Sequence, residues 1–298
     1  MQELKRVLSE LSAQEFVFIP NPGNAGDSLI NAASFQFLDD MKLSYKIISP
    51  REIKQALKKG RSIVDKFNLK DKVVVLGGGG GFTEHYPYSN TLVSALDKQV
   101  KQLILLPCTI EGYQETLSGL SDSVTVFCRE KVSFEYLNRV CNGPTIYLSH
   151  DMVFAADFTR IMAVTSSLSS IRNRIKAAKS RAQVADYIKR NGKVKLNALR
   201  LDEERSDIEV PTENMDMSAL FSLGTKTKAT NFYAAQEFLS HLDKFEQVVT
   251  NRLHVCIAST LLGKQVTFLD NSYFKNRAVF DRSMGTFNNV KLVSELPN

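Results

Sequence analysis

The segment Val248–Lys264, VVTNRLHVCIASTLLGK, changes from a β-branched run to a helical pattern, and this change predicts the fold class. We expect a buried strand that ends at Thr250, an N-cap at Asn251 and a helix after it. A helix start carries unpaired N–H groups and a partial positive charge, so Arg252 and His254 in its first turn would complete a phosphate site. The alternative is that Arg252 pairs with a carboxylate and His254 packs beside the strand. For an isolated Arg-x-His, this alternative is favoured.

Buried strands and helical patterns alternate along the rest of the chain. Short runs of β-branched and aromatic residues are each followed by a turn and an amphipathic stretch. This alternation predicts an α/β fold with doubly wound parallel sheets, in which ligands bind outside the carboxyl ends of the strands. Residues just after a strand are therefore candidate ligands. The predicted strands include Phe16–Pro20, Tyr45–Pro50, Leu103–Ile110 and Val124–Glu130.

A glycine loop, NPGNAGDSLI (Asn21–Ile30), follows the first of these strands. Gly23 and Gly26 permit a tight turn and close approach of a ligand to the backbone, and Asp27 or Ser28 can cap the next helix. The loop lacks the ending of a nucleotide-binding P-loop and the three-glycine dinucleotide fingerprint, so neither ATP nor NAD is indicated. Any doubly wound fold also requires a turn of this kind.

Five consecutive glycines, Gly77–Gly81, follow the strand that starts at Val73. Ordering each of them costs roughly 0.5–1 kcal/mol relative to alanine, so a bare turn does not explain them all. We therefore expect something to approach this backbone closely. His85 and Tyr88 come next, at the carboxyl end of the strand, where ligands are expected.

Charged residues follow several other predicted strands. Arg129 comes after a β-branched and aromatic run. Alone it would be an ion-pair partner, but together with the other strand-end residues it becomes a candidate ligand. In the second half, we expect a solvated loop at Arg200, Asp202 and Glu204, in which these charges pair with one another. Lys275 lies in the exit loop of the last predicted strand.

The composition is that of a soluble globular protein, since 43% of the 298 residues are hydrophobic and 23% are charged. The net charge of +6 suits phosphates, anionic sugars or an anionic membrane surface. Lys and Arg are scattered without interleaved aromatic residues, so nucleic acid is not the expected partner. The four cysteines form no CxxC pair, which favours buried free thiols in a reducing cytosol. No signal peptide or membrane span is predicted, and a cytoplasmic enzyme is the simplest class.

The composition shifts to Ser, Ala, Arg and Lys between Phe158 and Gly192. This shift predicts a linker followed by a basic, partly helical segment. We therefore expect an N-terminal domain at 1–160, the basic segment at 161–192 and a C-terminal domain at 193–298, whose tail is expected to pack back on the first domain.

A series of motifs then occurs in one order: GNAGDSLI, LGGGGGFTEHYP, LPCTI, CREKVSFEYL, HDMVF, LRLDEE, VVTNRLHVCIA and LDNSYFKNR. The ordered set is fairly specific, and between Asn21 and Asp281 the chain resembles the polysaccharide pyruvyl transferase family, particularly its bacterial exopolysaccharide members. The resemblance implies two Rossmann-like domains that face each other across a cleft, as in glycosyltransferases of the B type. It implies phosphoenolpyruvate as the donor and a pyruvate ketal on a sugar of an exopolysaccharide or its lipid-linked precursor as the product.

The resemblance also implies roles for particular residues. His254 is the expected general acid, because imidazole titrates near neutral pH. Asp27 is either a base toward the sugar hydroxyl or only a helix cap. No metal and no cofactor beyond the donor substrate are expected. The implied donor-binding residues are Asn24, Gly26, Arg129, Arg252 and Leu253. Further contacts with donor or acceptor are expected at Gly79, Gly80, His85, Asn251 and Lys275.

Two other function classes stay open. One is a nucleotide-sugar-dependent glycosyltransferase on the same architecture. The other is a non-catalytic glycan-binding protein of a polysaccharide assembly complex, suggested because Asn251 and Cys108 stand where relatives commonly have Asp and Gln. The expected partners are phosphoenolpyruvate and a free or lipid-linked sugar acceptor. Peripheral association with an assembly complex at the inner face of the membrane is a further expectation.

Overall fold

Parallel strands and helices alternate along the chain, as the hydrophobic pattern predicts. The computed structural model describes residues 1–84, 86–165, 170–202, 204–205 and 208–295. The strands are β1 Phe16–Ile19, β2 Tyr45–Ile47, β3 Val73–Leu76, β4 Gly79–Phe82, β5 Gln102–Ile110, β6 Val124–Cys128, β7 Thr145–Leu148, β8 Lys195–Asn197, β9 Gln247–Thr250, β10 Gln265–Leu269 and β11 Val290–Val293.

The helices connect these strands. They are α1 Gln2–Glu10, α2 Ala25–Asp40, α3 Pro50–Lys58, α4 Ile63–Phe67, α5 Tyr88–Leu96, α6 Gln114–Ser118, α7 Lys131–Val140, α8 Phe158–Met162, α9 Ile171–Asn191, α10 Met217–Leu220, α11 Lys228–Leu242, α12 Leu253–Leu261 and α13 Lys275–Ser283, together with a 3-10 turn at Met152–Ala155. Within the described residues, every helix is too short or too polar to cross a bilayer.

The first compact unit consists of Met1–Pro22 and Ala33–Ala156. Its sheet has the strand order β2-β1-β3-β5-β6-β7, with β4 beside β5, and every pair of strands is parallel. All residues of β1, β3 and β6 are buried. Such continuous apolar runs are typical of parallel strands that are covered on both faces. The prediction of a parallel α/β fold is confirmed for this sheet.

The second compact unit consists of Gly23–Ala32 and the chain from Asp157 onwards. Its sheet has the parallel order β11-β10-β9-β8. The glycine loop therefore groups with the second half of the chain, whereas the sequence suggested a domain at 1–160. One contact behind this grouping is the hydrogen bond from Asn31 Nδ2 to Asn231 Oδ1, at 2.9 Å.

The basic segment expected at 161–192 contains α9, a helix of 21 residues. One face of α9 is buried within the second unit through Ala177, Ser180, Val184 and Tyr187. The tail also belongs to this unit, where β11 pairs with β10.

Part of the glycine run, Gly79–Gly81, forms a strand instead of a turn. β4 pairs with β5, and Gly79 has a φ of 107°, a value that few other residues adopt. A Cβ on Gly78 would lie 2.3 Å from the Pro107 carbonyl oxygen, and one on Gly77 would lie 2.8 Å from the Asn21 backbone nitrogen. The close approach expected at these glycines is thus made by the chain's own backbone.

Candidate active site

The junction of β9 and α12 is the centre of the candidate site. The helix begins at Leu253, and Arg252 is its N-cap residue, without a side-chain capping bond. The prediction of Asn251 as the N-cap is therefore wrong by one residue. The Asn251 side chain is engaged elsewhere, because its Oδ1 accepts the Arg200 backbone N–H at 2.8 Å. The first turn of α12 consequently has backbone N–H groups that no N-cap side chain satisfies, which is the arrangement that binds anions.

Arg252 is buried and held by two carboxylates. Its Nε donates to Asp216 Oδ1 at 3.0 Å, its Nη2 donates to Asp216 Oδ2, and its Nη1 lies 2.9 Å from Asp202 Oδ2. The carboxylate-pairing alternative for Arg252 is therefore what the structure shows. These bonds fix the plane of the guanidinium and offset its charge.

A buried ion-pair network continues from Arg252. Arg200 Nε donates to Asp202 Oδ1 at 2.6 Å, and Arg200 also pairs with Glu204. Lys275 Nζ donates to both oxygens of Glu204 at 2.8 Å. The prediction of a mutually paired loop is confirmed, but the prediction that it is solvated is wrong for Arg200 and Glu204, which are 4% and 2% exposed. The loop residues after β8 pair with residues that follow β9 and β10. Arg200 and Glu204 are removed from water, whereas the Asp202 side chain stays 39% exposed.

Electrostatics in this network favour the ionised carboxylates. Burial alone would raise the pKa of Glu204, but the charges of Lys275 and Arg200 outweigh it and lower that pKa to about 2. Burial also opposes ionisation of Asp202, yet the Arg200 hydrogen bond and the Arg252 charge hold its pKa below the ordinary value. Lys275, expected to contact a substrate, is 5% exposed and engaged by Glu204.

Asn276 joins the ends of two neighbouring strands, and no sequence pattern had indicated it. Its Nδ2 donates to the carbonyl oxygens of Asn251, at 2.8 Å, and Leu269, at 3.0 Å. Its backbone N–H donates to Asn271 Oδ1 at 3.3 Å. The expected ligand contact Asn251 therefore has a structural role through both its side chain and its carbonyl group.

The glycine loop contributes the start of α2 to the second unit. Asn24 Oδ1 accepts the Gly26 N–H at 2.8 Å, and Asp27 Oδ2 accepts the Asn24 N–H at 2.9 Å. Asn24 is therefore the N-cap residue, and the prediction that Asp27 or Ser28 is the N-cap is wrong, because the helix begins at Ala25. Asp27 lies in the first turn and accepts the backbone N–H of the N-cap residue. A Cβ on Gly23, whose φ is 148°, would lie 2.0 Å from Asp27 Oδ2. Only glycine fits this turn.

The loop and the half-buried His254 lie in direct contact. A Cβ on Gly26 would lie 2.8 Å from His254 Nδ1 and 3.0 Å from His254 Cβ. The structure thus brings Asn24, Gly26 and Asp27 together with His254 within one unit. This grouping juxtaposes an imidazole, a carboxylate and the start of α12.

Arg129 belongs to the first unit, at the end of β6. It is fully buried, with Nε donating to Thr109 Oγ1 and Nη1 donating to Asp151 Oδ2, both at 2.8 Å. Asp151 Oδ1 in turn accepts the Val153 N–H at 3.0 Å. Arg129 is thus an ion-pair partner within its own unit, and its action together with Arg252 and His254 stays a prediction.

The remaining expected contacts lie in the first unit. Gly79 and Gly80 are part of β4, and their contact with a substrate stays a prediction. His85 lies outside the described residues. All four cysteines are buried and free, as predicted, and burial raises the pKa of Cys108 to about 12. Among the described residues, no cluster of three or more His, Cys, Asp and Glu side chains is arranged to hold a metal ion.

Comparisons with known proteins extend these observations. The family model described as polysaccharide pyruvyl transferase matches residues 24–273. No curated protein matches the chain. Among solved structures, an uncharacterised protein from Klebsiella pneumoniae subsp. pneumoniae is 23% identical, with a TM-score of 0.75 and 98% of each chain covered. At this identity the likeness concerns the fold alone.

Proposed function

The chain belongs to the polysaccharide pyruvyl transferase family, and from this membership we propose that it transfers the pyruvyl group of phosphoenolpyruvate to a sugar. The acceptor in this proposal is an exopolysaccharide or its lipid-linked precursor, and the product is a pyruvate ketal. The proposal includes an architecture of two Rossmann-like domains facing each other across a cleft, as in B-type glycosyltransferases.

The observation that carries the proposal is the contact of His254 with the loop Asn24–Asp27 at the uncapped start of α12. Phosphoenolpyruvate has a phosphate and a carboxylate, and a helix start with an oriented arginine suits both groups. Asp216 orients the Arg252 guanidinium in advance, which lowers the entropic cost of binding a planar anion. Arg129 is the proposed second cation of the donor site, with its orientation fixed by Asp151.

His254 is the proposed general acid. It gives its proton to the methylene carbon of phosphoenolpyruvate, and an oxocarbenium-like centre forms at C2. A sugar hydroxyl attacks C2 and loses its proton to Asp27, the proposed base. The C2–O bond to phosphate then breaks, which restores an oxocarbenium-like centre, and a second hydroxyl attacks C2 and gives its proton to the departing phosphate. A positioned acid or base of this kind contributes typically ~10²–10⁴-fold.

The experiment is a phosphate-release assay with phosphoenolpyruvate and a panel of free and lipid-linked glycans, with mass spectrometry of the product. The proposal expects phosphate release that depends on one class of acceptor, and a product that carries a ketal. Absence of release with every acceptor would contradict it. A rise in melting temperature with a nucleoside diphosphate, and none with phosphoenolpyruvate, would favour a nucleotide-sugar glycosyltransferase instead.

A non-catalytic glycan-binding protein is the second candidate, and one observation favours it. Arg252 is paired with Asp202 and Asp216, and Arg129 is paired with Asp151, so neither arginine offers a full positive charge to a donor. This candidate expects glycan binding without phosphate release. Calorimetric titration of phosphoenolpyruvate distinguishes the two, because only the transferase requires donor binding.

A further inference from the structure

Helix α9 has two unlike faces. Its inner face contributes Ala177, Ser180, Val184 and Tyr187 to the interior of the second unit. Ser180 Oγ also donates to the Leu220 carbonyl oxygen at 2.8 Å. The buried residues of α9 therefore all lie on this inner face.

The outer face of the first half of α9 is apolar and exposed. Ile171 is 74% exposed and Ile175 is 55% exposed, two of the largest exposures of any bulky apolar side chain in the described chain. Ala178 and Ala182, also exposed, continue the same stripe at helical spacing. Folding gains little from Ile171 and only part of the possible burial from Ile175, because most of their surface faces water.

Basic residues border this stripe on both sides. At 100° per residue, Arg172 and Lys179 flank it on one side, and Arg174 and Arg181 flank it on the other. No Asp or Glu occurs between Phe158 and Ala185. Arg181 Nη1 pairs with Glu237 Oε1 at 2.6 Å, whereas Arg172, Arg174 and Lys179 have no carboxylate partner in the part of the chain that the structure describes. The result is an apolar stripe between two rows of positive charge.

We propose that this outer face of α9 binds the surface of an anionic lipid bilayer. Helices that lie in the plane of a membrane interface have this distribution, with apolar side chains at the boundary of the acyl region and Lys or Arg beside the lipid phosphates. The long stems of Lys and Arg can reach the headgroups while the isoleucines enter the boundary. A nucleic acid would satisfy the charges but has no apolar phase for Ile171 and Ile175.

The test is sedimentation of the full chain with vesicles, which needs no substrate and is independent of the proposed reaction. Vesicles of phosphatidylcholine and phosphatidylglycerol in equal parts are compared with vesicles of phosphatidylcholine alone. We expect binding to the anionic vesicles only. Each Lys or Arg near an anionic surface strengthens partitioning roughly fivefold, so Arg172→Glu with Lys179→Glu should weaken it about 20-fold or more.

Two further variants distinguish binding by this face of α9 from binding by the net positive charge of the protein. Ile171→Ser with Ile175→Ser should weaken binding even in high salt, because apolar burial is not screened. Lys58→Glu with Lys59→Glu makes the same charge change at exposed positions of the first unit and should keep most of the binding. Circular dichroism confirms that each variant is folded.

Three results would overturn the proposal. The first is equal binding of the wild type to both kinds of vesicle, or binding to neither. The second is an equal loss in the Lys58→Glu, Lys59→Glu variant, which would indicate net charge alone. The third is binding of the wild type to a DNA duplex without binding to vesicles. If the charge variant abolished this DNA binding and the isoleucine variant left it unchanged, the face would be a nucleic-acid surface.

Discussion

His254 packs against Gly26 so closely that a Cβ on the glycine would lie 2.8 Å from His254 Nδ1. We expect Gly26→Ala to displace the imidazole, because a real Cβ essentially never makes so short a contact. A displacement of about 1 Å can reduce turnover roughly 100-fold. The measurement is phosphate release from phosphoenolpyruvate at saturating acceptor. Gly285→Ala is the matched control, since its Cβ would meet nothing closer than 4.0 Å, and it should keep full turnover. Equal activity of both variants would mean that the position of His254 is unimportant.

Asp27 has a structural bond and a proposed chemical role, and one substitution separates them. In Asp27→Asn an amide oxygen can still accept the Asn24 N–H, but the side chain no longer takes up a proton. We expect the melting temperature to stay near that of the wild type while turnover falls about 100-fold or more. Asp27→Ala should also lower stability by about 1 kcal/mol, because the bond to the Asn24 N–H is lost. Turnover of Asp27→Asn within a few-fold of the wild type would reduce Asp27 to a helix cap.

Glu204 should give the second unit a pH-dependent stability in acid. The native pKa of about 2 lies below the ordinary value of 4.5, so the unfolded chain binds the proton more readily. The contribution is present above pH 4.5 and is lost as the pH falls toward 2. It amounts to about 3 kcal/mol, and Glu204→Gln should lower stability at neutral pH by a similar amount.

Urea unfolding at several pH values measures this effect. The difference between wild type and Glu204→Gln should shrink as the pH falls from 4.5 toward 2. Glu246→Gln, at an exposed carboxyl group of the same unit, should keep the wild-type pH dependence. A constant difference across the whole range would show that Glu204 stabilises the fold without its charge.

Protonation of His241 should lower the stability of the second unit at a higher pH than protonation of Glu204 does. Burial disfavours its charged form and lowers its pKa below the ordinary 6.5, and nearby Lys244 and Arg181 act in the same direction. The unfolded chain therefore takes up the proton first, so stability falls as the pH drops below about 6.5. His241→Gln should flatten the unfolding free energy between about pH 5 and 7. An unchanged slope would mean that the native imidazole titrates as in the unfolded chain.

Local patterns in the sequence predict the elements of this fold well. The β-branched run before Asn251 and the helical spacing after it are local features, and β9 and α12 form as expected. The position of the N-cap is shifted by one residue because Asn251 is bonded to the Arg200 backbone, a contact between distant segments.

Long-range pairing explains what the sequence does not predict. Asp216 lies 36 residues from Arg252 and caps α10, and nothing in its neighbourhood indicates an arginine partner. The sequence around Arg200 and Glu204 predicts a solvated loop, because Lys275, which pairs with Glu204 in the folded chain, lies 71 residues further along. Asp27 accepts the Asn24 N–H, a bond that is compatible with either of its two expected roles, so the choice between base and helix-start acceptor stays a prediction.

The most direct test of the central claim is the rate of phosphate release from phosphoenolpyruvate by His254→Ala in the presence of acceptor, with folding checked by circular dichroism. The general-acid role of His254 predicts a loss of roughly 10²–10⁴-fold in turnover, with the affinity for phosphoenolpyruvate changed much less. Near-full turnover by the folded variant would contradict it.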